Sequence, residues 1–489
     1  MRTSGSIGGA GPATLAKFGT PTGLVFEPWV LPQGWLEGWQ VPQWQPSGEM
    51  AYGARTNVAR LNDSPASVFD RFSTARSTPT STFYVSTTGS DTTGTGTLAL
   101  PYRTISKAIL AANATGEPAK IMIKGGSYPR FASPGYAGTV PTVDIAFLAF
   151  EGRVITGSWD ETGTVPADSV HTNTYAITNG GVDRVLDRTR LDDDGFFPEY
   201  MRVASASRCN RIPGSWAYEG GKVYIHRHDG AQVTTANTYM LRPRAAVWSF
   251  SNPVNIYLGA ADQASGFDTL GGSNGAGFVY EVTTLPAAMK AVVVERATFR
   301  YNGGADTVPS GADGVRMQGL HGLALFSDCD SSNNTRDGFS IANSLAGARG
   351  HMVTVNCRAL RNGDRRNGYN TSQSDNAYTL HADTVGCDLA GDFRETGGGA
   401  IRNVGTSRGL MIGTRISNDY GDRLVGGIVD PGGVVADENA HIWLDRVELA
   451  MSPSTAPIRV AAGAEVRTRR MPDGRSPAAV EGILGSYSS

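Results

Sequence analysis

The sequence predicts an all-β chain coiled as a parallel β-helix, a solenoid with about 30 residues per rung. Three observations predict it. Apolar segments ending at Ala297, Cys329, Cys357, Cys387, Arg415 and Val447 recur at that interval. Short strands starting after Gly314, Gly338, Gly368, Gly398, Gly427 and Pro457 form a second, interleaved series with the same interval. Five places after the first four marks stand Asn302, Asn334, Asn362 and Asp392. Asn tolerates the left-handed backbone of a tight turn, and stacked amides can bond from rung to rung.

Composition agrees and removes several functions. The 489 residues suffice for ~2–4 ordinary domains or one elongated repeat structure. Lys+Arg 43 against Asp+Glu 45 leaves a charge of −2, which gives no electrostatic case for nucleic acid or for a polybasic membrane anchor. The 62 Gly, with abundant Thr, Ser and Asn, suit short strands and turns. Four Cys are too few for a disulfide scaffold, and Cys329, Cys357 and Cys387 are expected to stack inside the coil as small apolar residues. Their spacing is unlike a zinc site, so no metal is assigned to them. No apolar run reaches the ~18 residues of a membrane span. The first residues also lack the apolar stretch of a Sec signal.

Taken in order, residues 1–80 are Trp- and Pro-rich, with Trp29, Trp35, Trp39 and Trp44 among Pro28, Pro32, Pro42 and Pro46. The prolines deny this stretch a long helix or a central strand, and its aromatics need a surface to lie on. That surface is the chain's own solenoid, with the segment as a lid, or else another subunit or particle. Residues 81–130 read as a cap: strand Phe83–Ser86, a turn-rich stretch, a helix with Ile105, Ala108, Ile109 and Ala112 on one face, and strand Lys120–Ile123. This order, with Gly-Ser-Asp, Gly-Thr, Pro, Thr-Ile and Ala in succession, resembles the N-terminal cap of right-handed parallel β-helix proteins of the pectate-lyase-like group. Residues 131–250 read as irregular early rungs with a hairpin inserted around Gly220-Gly221. The regular coil follows over 251–466, and 467–489 form a C-terminal cap or a subunit-contact tail.

A parallel β-helix repeats side chains every ~4.8 Å along flat faces, which suits a linear polymer. Carboxylates on adjacent rungs would stand at the ~5 Å of retaining glycosidases. The densest ionisable group is His381, Asp383, Asp392, Arg394 and Glu395, with Asp364, Arg365 and Arg366 one rung earlier. Asp364 and Glu395 are expected to face each other as an acid/base pair, with His381, Asp383 and Asp392 as further catalytic candidates. Arg365, Arg366 and Arg394 would bind a uronate. Asp330, Arg358 and Asp388 read as a structural stack of alternating charge. His321, His351, His381 and His441 share a phase and read as turn residues. Asp192-Asp193-Asp194, with Glu199, is the one candidate for Ca²⁺, without EF-hand spacing; no other cofactor is implied. The motifs of the pectate lyases are missing, so no catalytic residue carries over from that group.

A polysaccharide-directed β-helix protein without an export signal resembles a bacteriophage tailspike. The resemblance implies a virion-associated, extracellular, homotrimeric receptor-binding protein. It would recognise host surface polysaccharide, possess or lack depolymerase activity, and dock to other tail proteins through its N-terminal segment. The alternatives are a bacterial polysaccharide lyase or glycoside hydrolase and a non-catalytic structural module. Neither nucleic acid nor membrane insertion is expected.

Overall fold

The computed structural model describes residues 24–53, 57–129, 139–159, 163–178, 181–242, 246–272, 276–303, 312–363, 375–418, 433–451, 457–472, 479–480 and 482–487. The regular region is an all-β, right-handed parallel β-helix. Each rung contributes one strand to each of three faces. The first face is a nine-stranded parallel sheet that includes Asp313–Gln318, Phe339–Ala342, Tyr378–His381 and Ile401–Asn403. The second face includes Gly322–Ser327, Gly350–Val355, Val385–Leu389, Arg408–Ile412 and His441–Asp445. The third includes Ala297–Arg300, Asp330–Ser332, Arg358–Leu360, Asp392–Arg394 and Arg415–Asn418. Every described pairing within a face is parallel, for instance Ala291 with Leu323, His351, Val385, Arg408, His441 and Glu465 in turn.

Alternation along each strand separates interior from surface. Val292, Ala324 and Met352 from the second face meet Val315, Phe339 and Tyr378 from the first and Phe299 and Phe393 from the third in one fully buried core. Both corners of the third face bend through a left-handed residue. Before it stand Arg296, Asp328, Asn356, Ala390 and Arg446, and after it Tyr301, Asn333, Arg361 and Glu395, all with φ between 50° and 58° apart from Ala390 at 59°. Each residue of the second set precedes a member of the turn ladder. The left-handed residue is therefore the one before the ladder amide, and not the amide itself.

The ladder is present through three rungs. Asn302 Nδ2 donates to Asn334 Oδ1 at 2.7 Å, and Asn334 Nδ2 donates to Asn362 Oδ1 at 3.0 Å. The fourth member is Thr396, since Gly397 N–H bonds Asn362 O as Gly363 N–H bonds Asn334 O. Asp392 lies instead on the third-face strand. The displacement has one cause. Cys387 lies within a second-face strand, paired with Val353, whereas Cys329 and Cys357 sit at the corner, where their equivalent is Gly391. The expected stack of three Cys is therefore two, Cys329 and Cys357; Cys387 is buried on the outer side among Val353 and Leu410.

The solenoid begins with strand Ser81–Val85, helix Ile105–Thr115 and strand Ala119–Pro129. Thr104 Oγ1 caps the helix by accepting from Lys107 N–H, and Gly116 closes it with φ 68°. Its buried face is Ile105, Ala108, Ile109 and Ala112, which cover the end of the core.

Residues 24–53 and 57–75 pack on the outer side of the second face. Three short antiparallel strands and helix Gln33–Leu36 bring Trp29, Trp35 and Trp44 onto Leu325, Val353, Val385 and Leu410. Trp35 is fully buried, and its indole N–H donates to Gly386 O at 2.9 Å. Gln40 N–H donates to His351 Nε2, and Asn57 Nδ2 to Gly413 O. The aromatic segment thus lies on its own chain.

Residues Asp160–Leu241 form a separate compact unit rather than irregular rungs. Its core is Val165, Val185, Tyr200, Trp216, Val223, Ile225 and Met240. The hairpin Ser215–Glu219 with Lys222–His226 is antiparallel, and Gly220 and Gly221 supply the two positive φ values, 58° and 78°, that its two-residue turn requires.

Candidate functional site

The corners decide which predicted residues meet. His381 ends a first-face strand, and Asp383 follows in the corner leading to the second face, where it accepts from Asn343 Nδ2 at 2.6 Å and pairs with Arg349 at 3.3 Å. Asp392 and Arg394 lie on the third face, bonded to each other at 2.9 Å. Glu395 turns the next corner with φ 57° and pairs with Arg361 at 3.0 Å. The expected cluster is thereby divided between two corners of the coil. Asp364, Arg365 and Arg366 lie outside the described residues.

The alternating charge column exists, with one member changed. Asp330, Arg358, Asp392, Arg415 and Glu448 are successive partners on the third face. Asp388, the expected third member, points into the solenoid because its strand is shifted relative to the cysteines. There it accepts from Thr354 Oγ1 at 2.6 Å, Thr414 Oγ1 at 2.5 Å and Gly391 N–H at 2.9 Å. A side chain at Gly391 would strike this carboxylate, since a Cβ there would lie 2.4 Å from Asp388 Oδ2.

The histidines do not form a column. His351 and His441 share one on the second face, interrupted by Val385 and Arg408, while His321 and His381 sit at strand ends on other edges. In the acidic loop, as elsewhere among the described residues, no three His, Cys, Asp or Glu side chains converge. Asp192 Oδ1 accepts from the N–H groups of Asp194 and Phe196, and Glu199 holds Arg184 through both oxygens at 3.0 and 2.7 Å.

The structure instead brings together a pair that sequence reasoning missed. Asp313 and Asp337 begin the first face on adjacent rungs, where Gly314 N–H bonds Asp337 O. They are 3% and 4% exposed. Asp337 N–H donates to Asp313 Oδ1 at 3.3 Å, and Asp337 Oδ1 accepts from Asn376 N–H at 2.7 Å and Asn376 Nδ2 at 3.1 Å. Arg336 Nε stands 3.8 Å from Asp313 Oδ1, with its side chain 28% exposed. Burial and the like charge of Asp337 push the Asp313 carboxyl up to about 8, against the opposing pull of Arg336 and Arg316. The signal was available: Asp-Gly stands at 313–314 and again at 337–338, immediately before two strands of the Gly-marked series.

The same face carries polar side chains outward. Arg316, Ser340, Thr379 and Arg402 are register partners on four consecutive rungs, alternating with the inward Val315, Phe339, Tyr378 and Ile401. His381 belongs here. Burial lowers its pKa, Asp337 acts in the opposite sense, and Arg402 and Arg336 reinforce the lowering. His381 is thereby the predicted candidate that the structure places within electrostatic reach of Asp337. The second face has its outer side covered by residues 24–53 and 57–75, and the third has its outward charges paired to one another.

By sequence, no known protein family and no curated protein matches the chain. Among solved structures it is similar to a glycoside hydrolase at 11% identity, TM-score 0.42, covering 83% of this chain and 96% of that one. XylC in complex with xylose is similar at 11% identity and TM-score 0.40, covering 79% and 68%. A tailspike of Pseudomonas phage phi297 is similar at 12% identity and TM-score 0.25, covering 78% and 73%. Likeness this distant concerns the course of the backbone and carries no functional argument. What the coordinates themselves establish is the fold, and the chain is a parallel β-helix protein.

Proposed function

We propose that this chain binds a linear polysaccharide along its first face and cleaves it between Asp313 and Asp337. The observation that carries the reading is the pair of carboxyl groups on adjacent rungs at the edge of a polar sheet. Adjacent strands are ~4.8 Å apart, close to the ~5–5.5 Å separation at which two carboxyl groups hydrolyse a glycosidic bond with retention. Asp313, protonated at neutral pH, is the general acid that delivers its proton to the leaving oxygen. Asp337, oriented by Asn376, is the nucleophile at the anomeric carbon. In the second step Asp313, now ionised, takes a proton from the water that releases the sugar. In the outward row Arg316, Ser340, Thr379 and Arg402, the two half-buried guanidinium groups offer donors to sugar units, while Ser340 and Thr379 are buried between them.

We infer host-surface recognition as the setting: a homotrimeric, tailspike-like protein of a virion, extracellular in its action. Its support is the flat repeating face, matched to a polymer with a repeating unit. Because Trp29, Trp35 and Trp44 lie on the solenoid, attachment to other tail proteins falls to surfaces other than these rings. Sedimentation of the full chain checks the trimer.

The deciding experiment incubates the protein with a panel of bacterial capsular and lipopolysaccharide glycans and follows reducing ends. Asp313→Asn and Asp337→Asn are each expected to lower the rate ~10²–10⁴-fold while binding persists. Full activity in both variants would remove the pair from the mechanism. Unsaturated uronate products would replace hydrolysis by elimination.

A further inference from the structure

A second site lies on the second face, where the cover of residues 24–53 and 57–75 ends. A cavity of about 450 Å³ opens there between helix Gln33–Leu36 and the last rungs. That volume is within the ~300–1,000 Å³ of small-molecule pockets. Its floor is built by register: Arg408, His441 and Glu465 are successive partners in one column, with Trp443 and Arg467 successive partners in the next outward column. Glu465 accepts from His441 Nδ1 at 2.9 Å and from Arg467 Nε at 2.7 Å, which fixes an imidazole, a carboxylate and a guanidinium against one another. The His441 ring stacks on Trp443, with centroids 6.0 Å apart and planes 20° apart. Tyr487 adds a second aromatic wall.

We propose that this cavity binds an uncharged pyranose. Three features select that chemistry. The half-buried Tyr487 and the small part of the Trp443 ring that remains open, 6% exposed, offer apolar surface, which suits the C–H faces of a sugar ring. The linked planar groups of His441, Glu465 and Arg467 present donors and acceptors in fixed positions, matched to neighbouring hydroxyls. Charge is balanced, with Glu37 and Glu465 offsetting Arg408 and Arg467, so the lining has no excess cation to select a uronate or a phosphate. The site is separate from the first face and stands whether or not the Asp313–Asp337 pair is catalytic.

Saturation-transfer NMR on the full chain tests it, with methyl glucoside, methyl galactoside, methyl mannoside and N-acetylglucosamine as probes and glucuronate as the charged contrast. At least one neutral probe is expected to bind. Its Kd should rise tenfold or more in Arg467→Ala and in His441→Ala and be unchanged in Arg316→Ala, which alters the outward row of the first face. Circular dichroism of each variant verifies that the fold persists, and Arg467→Lys supplies a milder substitution should the alanine disturb it. The proposal is overturned if no neutral probe binds, if glucuronate binds more tightly than all of them, or if binding survives Arg467→Ala and His441→Ala. Loss of binding in Arg316→Ala alone would assign the signal to the first face and equally overturn it.

Discussion

Asp330 shows how a residue's neighbours outweigh its burial. It is fully buried, which by itself raises a carboxyl pKa, yet Arg300 and Arg358 hold it at about 2. Both guanidinium groups reach Oδ2 at 2.5 Å. Asp330→Asn leaves two nearly buried cations without their shared anion, and a loss of ~3–5 kcal/mol in urea unfolding is expected. Because the folded pKa is depressed, the carboxylate's contribution is present above about pH 4 and disappears as pH falls toward 2. His351 and Asp388 oppose one another over a milder range. Burial lowers His351 to about 4, with Nε2 accepting from Gln40 N–H, so its contribution is lost as pH falls from ~6.5 to ~4. Burial raises Asp388 to about 6, so its contribution is lost as pH rises from ~4 to ~6. Relative to wild type, Asp388→Asn should therefore gain thermal stability as pH rises through this window, and His351→Gln should gain it as pH falls. Melting curves at pH 4.5 and 6.5 check both signs, and parallel shifts in the two variants would refute the assignment.

At the scale of the element, the turn ladder has a measurable cost of removal. Asn334 Oδ1 accepts from both the N–H and the Nδ2 of Asn302, and its own Nδ2 reaches Asn362, all three residues being buried. Asn334→Ala leaves donors unsatisfied on one neighbouring rung and an acceptor short of one bond on the other. About 2–4 kcal/mol should be lost, read as a shift in the denaturant midpoint with an unchanged slope. The ladder was legible in sequence because these corners have constant geometry: one left-handed residue, then the amide. The rest faded where chain length varies. Insertions collect in the corner leading to the first face, so Gly368 falls outside the described residues and Gly398 stands two places before Ala400, the residue that occupies the position of Gly338. A four-residue shift at Cys387 moved Asp388 inward and Asp392 onto the third face. The predicted cluster of charge is divided for the same reasons. Density of charge in the sequence pointed to residues 381–395, whereas the corners separate them and unite Asp313 with Asp337, which no local cluster of charge reveals.

At the scale of the molecule, the solenoid and the Asp160–Leu241 unit have separate cores, and the chain leaves and rejoins the solenoid at neighbouring points. Ser158 N–H bonds Leu270 O at 3.0 Å, and Arg242 N–H bonds Ser158 O at 2.7 Å. The ends of the excursion are therefore joined within the coil by a backbone hydrogen bond. Geometry of this kind is how domain insertion is tolerated, because the host loses no strand when the guest is removed. Strand Ile145–Gly157 keeps its partners Ile256–Ala260 and Gly266–Leu270 with or without the unit. Replacing residues 160–241 by a short Gly-Ser linker should leave a soluble protein with the strand signature of the parent in circular dichroism and a single cooperative melt. Residues 160–241 expressed alone should fold around Trp216, read by its blue-shifted fluorescence. If the shortened chain instead emerges without a cooperative transition, the first rungs need the unit in order to close, and the two cores form one folding unit.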